Sequence, residues 1–290
     1  MTVSRKRNRP STSELEKLVS RIDERSGGAL DQETVPTGFA SLDKVLGGGL
    51  RRRDLVVLAG DVGSGKSALG LGIAIRAAAA GTPTLYLSGE MSPDRVMERA
   101  LALQAKASVD ELRQGRLDEA TRAAVGAAAV RLRDIPLLIK PLLGAEGDEI
   151  LTALDLVPPR RLVVVDSLQL TAPPRPAARL EERVALAVRA LKALAVDKGL
   201  VVLATAQLPG LRRGRPDPRP TLDDLGGLGT IKQNADVILT IFREEMYRPG
   251  QGVEGATELI LAKNRNGPTG FVDLYFYPRW LRFVDMLDAD

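Results

Sequence analysis

A chain of 290 residues, 27% charged and 44% hydrophobic, is long enough to bury roughly three quarters of its unfolded surface in one large domain. It carries no apolar run near the roughly twenty residues that a membrane-spanning helix needs. With no cysteine and no histidine, disulfides, thiolate or imidazole metal sites and histidine acid–base catalysis are excluded, so chemistry must run on carboxylates, amides, hydroxyls, Lys, Arg and an oxygen-bound metal. The net charge is only +4, but arginines cluster at 5–9, 51–53 and 212–219, which marks local basic patches able to attract phosphates.

The start, MTVSRKRNRPSTS, is basic and polar without an apolar signal segment, so residues 1–12 are expected to form a disordered tail and the protein to be cytoplasmic. Residues 13–34 form a second segment. There SELEKLVSRIDERS places Leu15, Leu18, Val19 and Ile22 on one helical stripe behind a Ser13 cap, and SGGALDQETVPTG reads as a linker. From Asp54 apolar strands alternate with helices: DLVVLAG, a helix to Ala80, TPTLYLS, a long Ala- and Arg-rich helical region from Pro93 to Arg133, and IPLLIK. A helix near Glu149, RLVVVD, a helix from Arg179 to Val196 and GLVVLATA continue the series. This βαβ rhythm predicts an α/β domain over residues 35–290, with a mostly parallel sheet and helices on both faces. After Gln207 long helices drop out, and ADVILTIF, ATELILAK and GFVDLYFYP predict an antiparallel extension at the sheet edge. LPGLRRGRPDPRPT is too long and polar for a buried connection and is expected to be a mobile surface loop.

GDVGSGKS, Gly60 to Ser67, matches the pattern G-x-x-x-x-G-K-[ST], with an apolar strand entering it and an Ala-rich helix leaving it. The candidate phosphate cradle is therefore Gly60, Asp61, Val62, Gly63, Ser64, Gly65, Lys66, Ser67 and Ala68. Glycines let successive amides curl around phosphate oxygens at a helix N-terminus, Lys66 reaches the β and γ phosphates, and Ser67 offers its hydroxyl to magnesium. A magnesium shell also needs a carboxylate, and Asp166 closes the apolar strand RLVVVD. Glu90, at the end of LYLSGE, is placed to orient or deprotonate water; a plain first-turn acid is its alternative. Gln207 closes VVLATAQ with an amide able to sense a γ-phosphate. In KNRNGPTG, Lys263 and Arg265 hold out two cations one residue apart, for which a solvated basic turn is the plain alternative.

Together these stretches resemble the RecA-fold motor domain of DnaB-type replicative helicases over roughly residues 35–284. The resemblance is carried by TGFASLDKVLGGGL, GDVGSGKS, SGEMS, VVVDSLQL, ATAQL, GTIKQNADVILTIFREEMY and LILAKNRNGPTG. It implies an ATPase that uses ATP and Mg2+, assembles as a homo-oligomeric ring, of six copies in that family's manner, and acts as a helicase or translocase on single-stranded DNA. It further implies Glu90 as catalytic base, Gln207 as γ-phosphate sensor, and Lys263 and Arg265 as cations supplied to the nucleotide of the adjacent subunit. Arg99 coincides with a family arginine whose role stays open. The SELEKLVSRIDERS stripe resembles the linker helix that docks on a neighbour's motor domain, with packing on its own domain as the alternative.

Two departures qualify what the resemblance implies. Only about 35 residues precede the motor, so loader and primase contacts are not carried over, and replication or recombination partners stay unassigned. Where the family places an Arg-Glu pair before GTIKQNAD, this chain reads DDLGGLGT. DNA phosphates are then left to the amides of Gly226, Gly227 and Gly229, with Arg212, Arg213, Arg215 and Arg219 as charged candidates in the preceding loop. The stripped loop favours a nucleotide-gated assembly or regulatory ATPase of the same fold, RadA-like or clock-type. The intact Glu90, Gln207, Lys263 and Arg265 set favours a working motor.

Overall fold

The structure, a computed structural model, describes residues 12–26, 33–142, 162–170, 179–209, 214–226, 229–250 and 252–287. Two compact units divide between Thr34 and Val35. The first contains helix α1 (Thr12–Ser26), on which Leu15, Leu18, Val19 and Ile22 are each about half exposed.

The second unit is built on a nine-stranded sheet. Two short strands, β1 (Thr34–Val35) and β2 (Leu50–Arg51), precede it in the chain, with the short helix α2 (Ala40–Val45) between them. Its strands are β3 (Leu55–Gly60), β4 (Thr84–Ser88), β5 (Leu137–Pro141), β6 (Leu162–Asp166), β7 (Val201–Gln207), β8 (Val237–Arg243), β9 (Ala256–Asn264), β10 (Gly270–Tyr277) and β11 (Arg282–Asp285). They lie in the order β11-β10-β9-β8-β3-β7-β6-β4-β5, and pairing is parallel from β8 to β5 and antiparallel from β8 to β11. Strands buried on both faces read as unbroken apolar runs, which is why LVVLAG, LVVVD and VILTIFR are entirely buried. Alternate residues of β3 serve two cores: Val56 and Leu58 pack towards α3 (Lys66–Ala79) and α4 (Pro93–Ala105), while Leu55, Val57 and Ala59 pack towards α7 (Leu180–Lys198). On β9 and β10 burial alternates along the strand, as expected of a sheet with one solvated face.

Two expectations need correction. The helical region from Pro93 to Arg133 is three helices, because Lys106 ends α4 in the left-handed region and Gly115 ends α5 (Val109–Gln114) in the same way. Ser108 and Glu111 open α5 with a reciprocal capping box, and Asp118 caps α6 (Glu119–Asp134). The segment expected to be a mobile loop is, where described, tied down: Arg215 grips Asp224 through two nitrogens at 2.9 and 2.8 Å, and Arg219 grips Glu258 at 2.7 and 2.5 Å. The antiparallel extension stands at the sheet edge as expected, with β11 outermost and β9, the strand bearing Lys263, two places inside it. The helix expected near Glu149 and residues 1–11 of the expected tail fall outside the described residues.

Candidate nucleotide site

Strand β3 delivers GDVGSGKS to the C-terminal edge of the parallel strands, and α3 leaves it from Lys66. Gly65 takes φ +98°, and a Cβ there would stand 2.8 Å from Phe283 Cζ, so glycine is required both by conformation and by the aromatic floor beneath the loop. Asp61 organises the loop, accepting from the amide of Val62 through its carboxylate and from the amide of Ser64 and the Lys66 ammonium through its carbonyl, at 2.7, 3.2 and 2.8 Å. Burial pushes the Lys66 amine below its usual range, against the attraction of Glu90, Asp166 and Asp61. Ser64 Oγ is buried without a hydrogen-bond partner. A desolvated cation resting on a neutral carbonyl, beside an orphaned hydroxyl and the free N–H groups of a helix start, fits a polyphosphate.

Sheet register sets the remaining groups level with the loop. Gly60 is opposite Gln207 and Ser88 is opposite Asp166, which places Glu90 two residues beyond the Asp166 level. A bond from the Gly89 amide to the Asp166 carbonyl, 2.7 Å, fixes that approach, and Ser167 Oγ donates to Glu90 Oε1 at 3.2 Å. Asp166 is almost wholly buried yet fully dressed: Oδ1 accepts from Ser67 Oγ at 3.1 Å and Thr205 Oγ1 at 2.5 Å, and Oδ2 accepts from the Tyr86 hydroxyl at 2.8 Å. Burial, reinforced by Asp166, pushes the Tyr86 hydroxyl well above its ordinary range and keeps it a donor. Ser67 and Asp166, an oxygen pair already in contact, are a donor set suited to Mg2+.

These residues surround a cavity of about 380 Å³ lined by Lys66, Ser67, Glu90 and Gln207 together with Arg99, Arg243, Phe276, Pro278 and Leu281. The last four were not anticipated from the sequence. Arg243 ends β8, donates to the Gly63 carbonyl at 3.1 Å, pairs with Glu245 and lies 4.4 Å from the Phe276 ring centre. Phe276 packs on Phe283, and Tyr277 stacks on Trp280 at 5.0 Å. The antiparallel extension thus contributes the apolar side chains of Phe276, Pro278 and Leu281 to the cavity lining, beside the charged groups suited to phosphate.

Lys263 and Arg265 lie away from this cavity. Lys263 Nζ donates to the carbonyls of Lys232 and Ala235 at 2.5 and 2.6 Å, and Arg265 donates to Asp236 and to the Gln233 carbonyl, around the end of α8 (Gly229–Asn234). Burial, then the charge of Arg265, lowers the Lys263 amine below its usual range. Gly226 is exposed, Gly229 opens α8, and Gly227, Arg212 and Arg213 lie outside the described residues. Arg215 and Arg219, offered above as DNA contacts, are engaged by Asp224 and Glu258.

Such a sheet, with a P-loop at its centre and strand-end carboxylates around it, defines a RecA-like P-loop nucleotide-binding domain. A family model described as the DnaB-like helicase C-terminal domain matches residues 34–285, and the chain belongs to that family. The replicative DNA helicase DnaB of Leifsonia xyli is 34% identical over 257 residues, covering 87% of this chain and 56% of the relative. That of Pasteurella multocida is 32% identical over 288 residues, covering 94% and 60%. The chain therefore spans a little over half the length of these relatives. Among solved structures, one described as an ATPase domain superposes with TM-score 0.84 at 26% identity, covering 95% of this chain and 99% of that one. A DnaB-like replicative helicase, described with its interactions with primase, superposes with TM-score 0.83 at 26% identity, covering 93% and 66%. The RadB recombinase, at 20% identity and TM-score 0.54, shares the fold over 87% of this chain.

Proposed function

We propose that residues 35–290 form the motor of a ring-shaped, ATP-dependent DNA helicase or translocase acting on single-stranded DNA, with the residue 13–34 segment as a linker that meets a neighbouring copy. One observation carries the reading: the cavity gathers Lys66, Ser67, Glu90 and Gln207, while Lys263 and Arg265 stand outside it on the same molecule. A second copy would complete the set. Lys66 and the loop amides hold the triphosphate, Glu90 takes the proton of the attacking water, and Gln207 reads the γ-phosphate. Ser67 and Asp166 would hold Mg2+, which would supply charge to offset that of the phosphates. Arg265 of the adjoining protomer faces the charge that develops in transfer, a contribution of about 10³ to 10⁵ in rate for such arginines.

The relatives' name supports a helicase over a purely regulatory ATPase. The test mixes Arg265→Ala with Glu90→Gln protein. Each variant alone is expected to bind ATP and turn it over at least about 100-fold slower than wild type. Mixed rings contain some interfaces with a full set of parts and regain activity. No recovery, or full activity from a protein that stays monomeric, would falsify the composite site.

A further inference from the structure

We infer that Asp236 and Lys192 form a latch deciding whether Arg265 stays on its own protomer or reaches the nucleotide of the next; this rests on the reading of Arg265 as a cation supplied in trans. Asp236 sits between α8 and β8 with its side chain only 7% exposed. Oδ2 accepts from the Leu55 amide at 2.8 Å and the Lys192 ammonium at 2.6 Å, and Oδ1 accepts from Arg265 Nη1 at 2.9 Å. Its backbone is held as closely: the amide donates to the Leu55 carbonyl and the carbonyl accepts from the Arg265 amide, each at 2.9 Å. One carboxylate thereby joins the root of the P-loop strand, helix α7 and the turn that carries the arginine.

A buried carboxylate needs a cation, and Asp236 is hydrogen-bonded to two of unequal freedom, while Lys263, which also feels its charge, gives its bonds to the Lys232 and Ala235 carbonyls. Lys192 is rooted in α7, 24% exposed, and donates also to the Arg53 carbonyl at 2.8 Å. Arg265 is 46% exposed and opens the turn between β9 and β10. When Arg265 departs, Lys192 keeps the charge paired and the exposed Gln233 carbonyl turns to water, so departure strands no charge. Without Lys192, Arg265 becomes the remaining cation bonded to a buried anion and is held. Lys192 is therefore a positioning residue that acts through Arg265 and does not itself line the cavity of its own protomer.

Lys192→Met is expected to lower assembly-dependent ATP turnover about tenfold in kcat, the scale of one charge-assisted hydrogen bond changing hands, with the protomer's own nucleotide affinity unchanged. Lys192→Arg keeps the turnover. Adding Asp236→Asn to Lys192→Met removes the anion that holds Arg265 and is expected to restore most of it, a reversal that simple structural damage would not give. Wild-type turnover in Lys192→Met, or a double variant no faster than the single one, overturns the latch. Arg265→Ala separates the two levels: if it hydrolyses like wild type, the trans reading itself falls, and if it is inactive while the double variant stays slow, only the latch falls. Should Lys192→Met not fold, Lys192→Gln keeps a donor for the Arg53 carbonyl and serves in its place. Asp236→Asn alone is then expected to lower the protein concentration for half-maximal turnover, and an unchanged concentration overturns the latch.

Discussion

Replacing Tyr86 by phenylalanine removes one hydroxyl from the centre of the domain and leaves the ring in place. That hydroxyl is a fully buried donor 2.8 Å from Asp166 Oδ2, the carboxylate oxygen that Ser67 and Thr205 do not reach. A hydrogen bond to a buried charged group contributes about 1.5–3 kcal/mol, more than the ~1 kcal/mol of a neutral one, and both partners here are buried. For a domain of this size, a loss of ~2 kcal/mol corresponds to a fall in melting temperature of about 4–8 °C. The assay is calorimetry on the wild type and Tyr86→Phe, paired with nucleotide binding in the presence and absence of Mg2+. Because the loosened carboxylate is the one proposed to serve Mg2+, nucleotide affinity with the metal should weaken several-fold while metal-free affinity holds. A melting temperature within about 2 °C of wild type would refute the reasoning, since Asp166 would then draw nothing measurable from its third donor.

Gly65→Ala combines a left-handed φ of +98° with a Cβ 2.8 Å from Phe283, and is expected to displace the loop and weaken nucleotide binding at least about 100-fold; strain and overpacking together cost roughly 2–5 kcal/mol. Gly63→Ala, at φ +77° with nothing within 4 Å, carries the strain alone and should lose much less, as titration with a fluorescent nucleotide would report. Burial works to raise the Asp224 carboxyl, but bonds from Arg215 and Thr221 outweigh it and hold it below its ordinary value. Its stabilisation is therefore present above the unfolded value of about 3.9 and lost as pH falls through the lower folded value. Urea midpoints of wild type and Asp224→Asn should differ clearly at pH 7 and converge towards about pH 3; a constant gap would show that the charge is not what matters.

What the sequence could reveal divides along a physical line. A P-loop declares itself because its glycines and its Lys-Ser pair are dictated by one short backbone path, and Asp166 and Gln207 because a polar side chain at the end of an apolar strand stands out. Arg243 carries that same signature at the end of VILTIFR and was legible by it. Tyr86 and Thr205 were not: inside apolar strands they look like β-formers, and only the sheet order β7-β6-β4 brings their hydroxyls to Asp166. The three helices between Pro93 and Asp134 were hidden by continuous periodicity, although Ser108 and Glu111 stand at capping-box spacing. Composition showed the cations of the 212–219 cluster but not their partners, Asp224 and Glu258, the second of which lies 39 residues from Arg219.

Trp280 is the chain's one tryptophan, its ring stacked on Tyr277 and its neighbours Pro278 and Leu281 set in the cavity wall. The molecule thus contains its own optical probe: a single indole, excitable apart from the tyrosines, next in the chain to a residue that lines the cavity. Nucleotide that enters the proposed site is expected to change the emission of unlabelled protein, without dye or engineered cysteine.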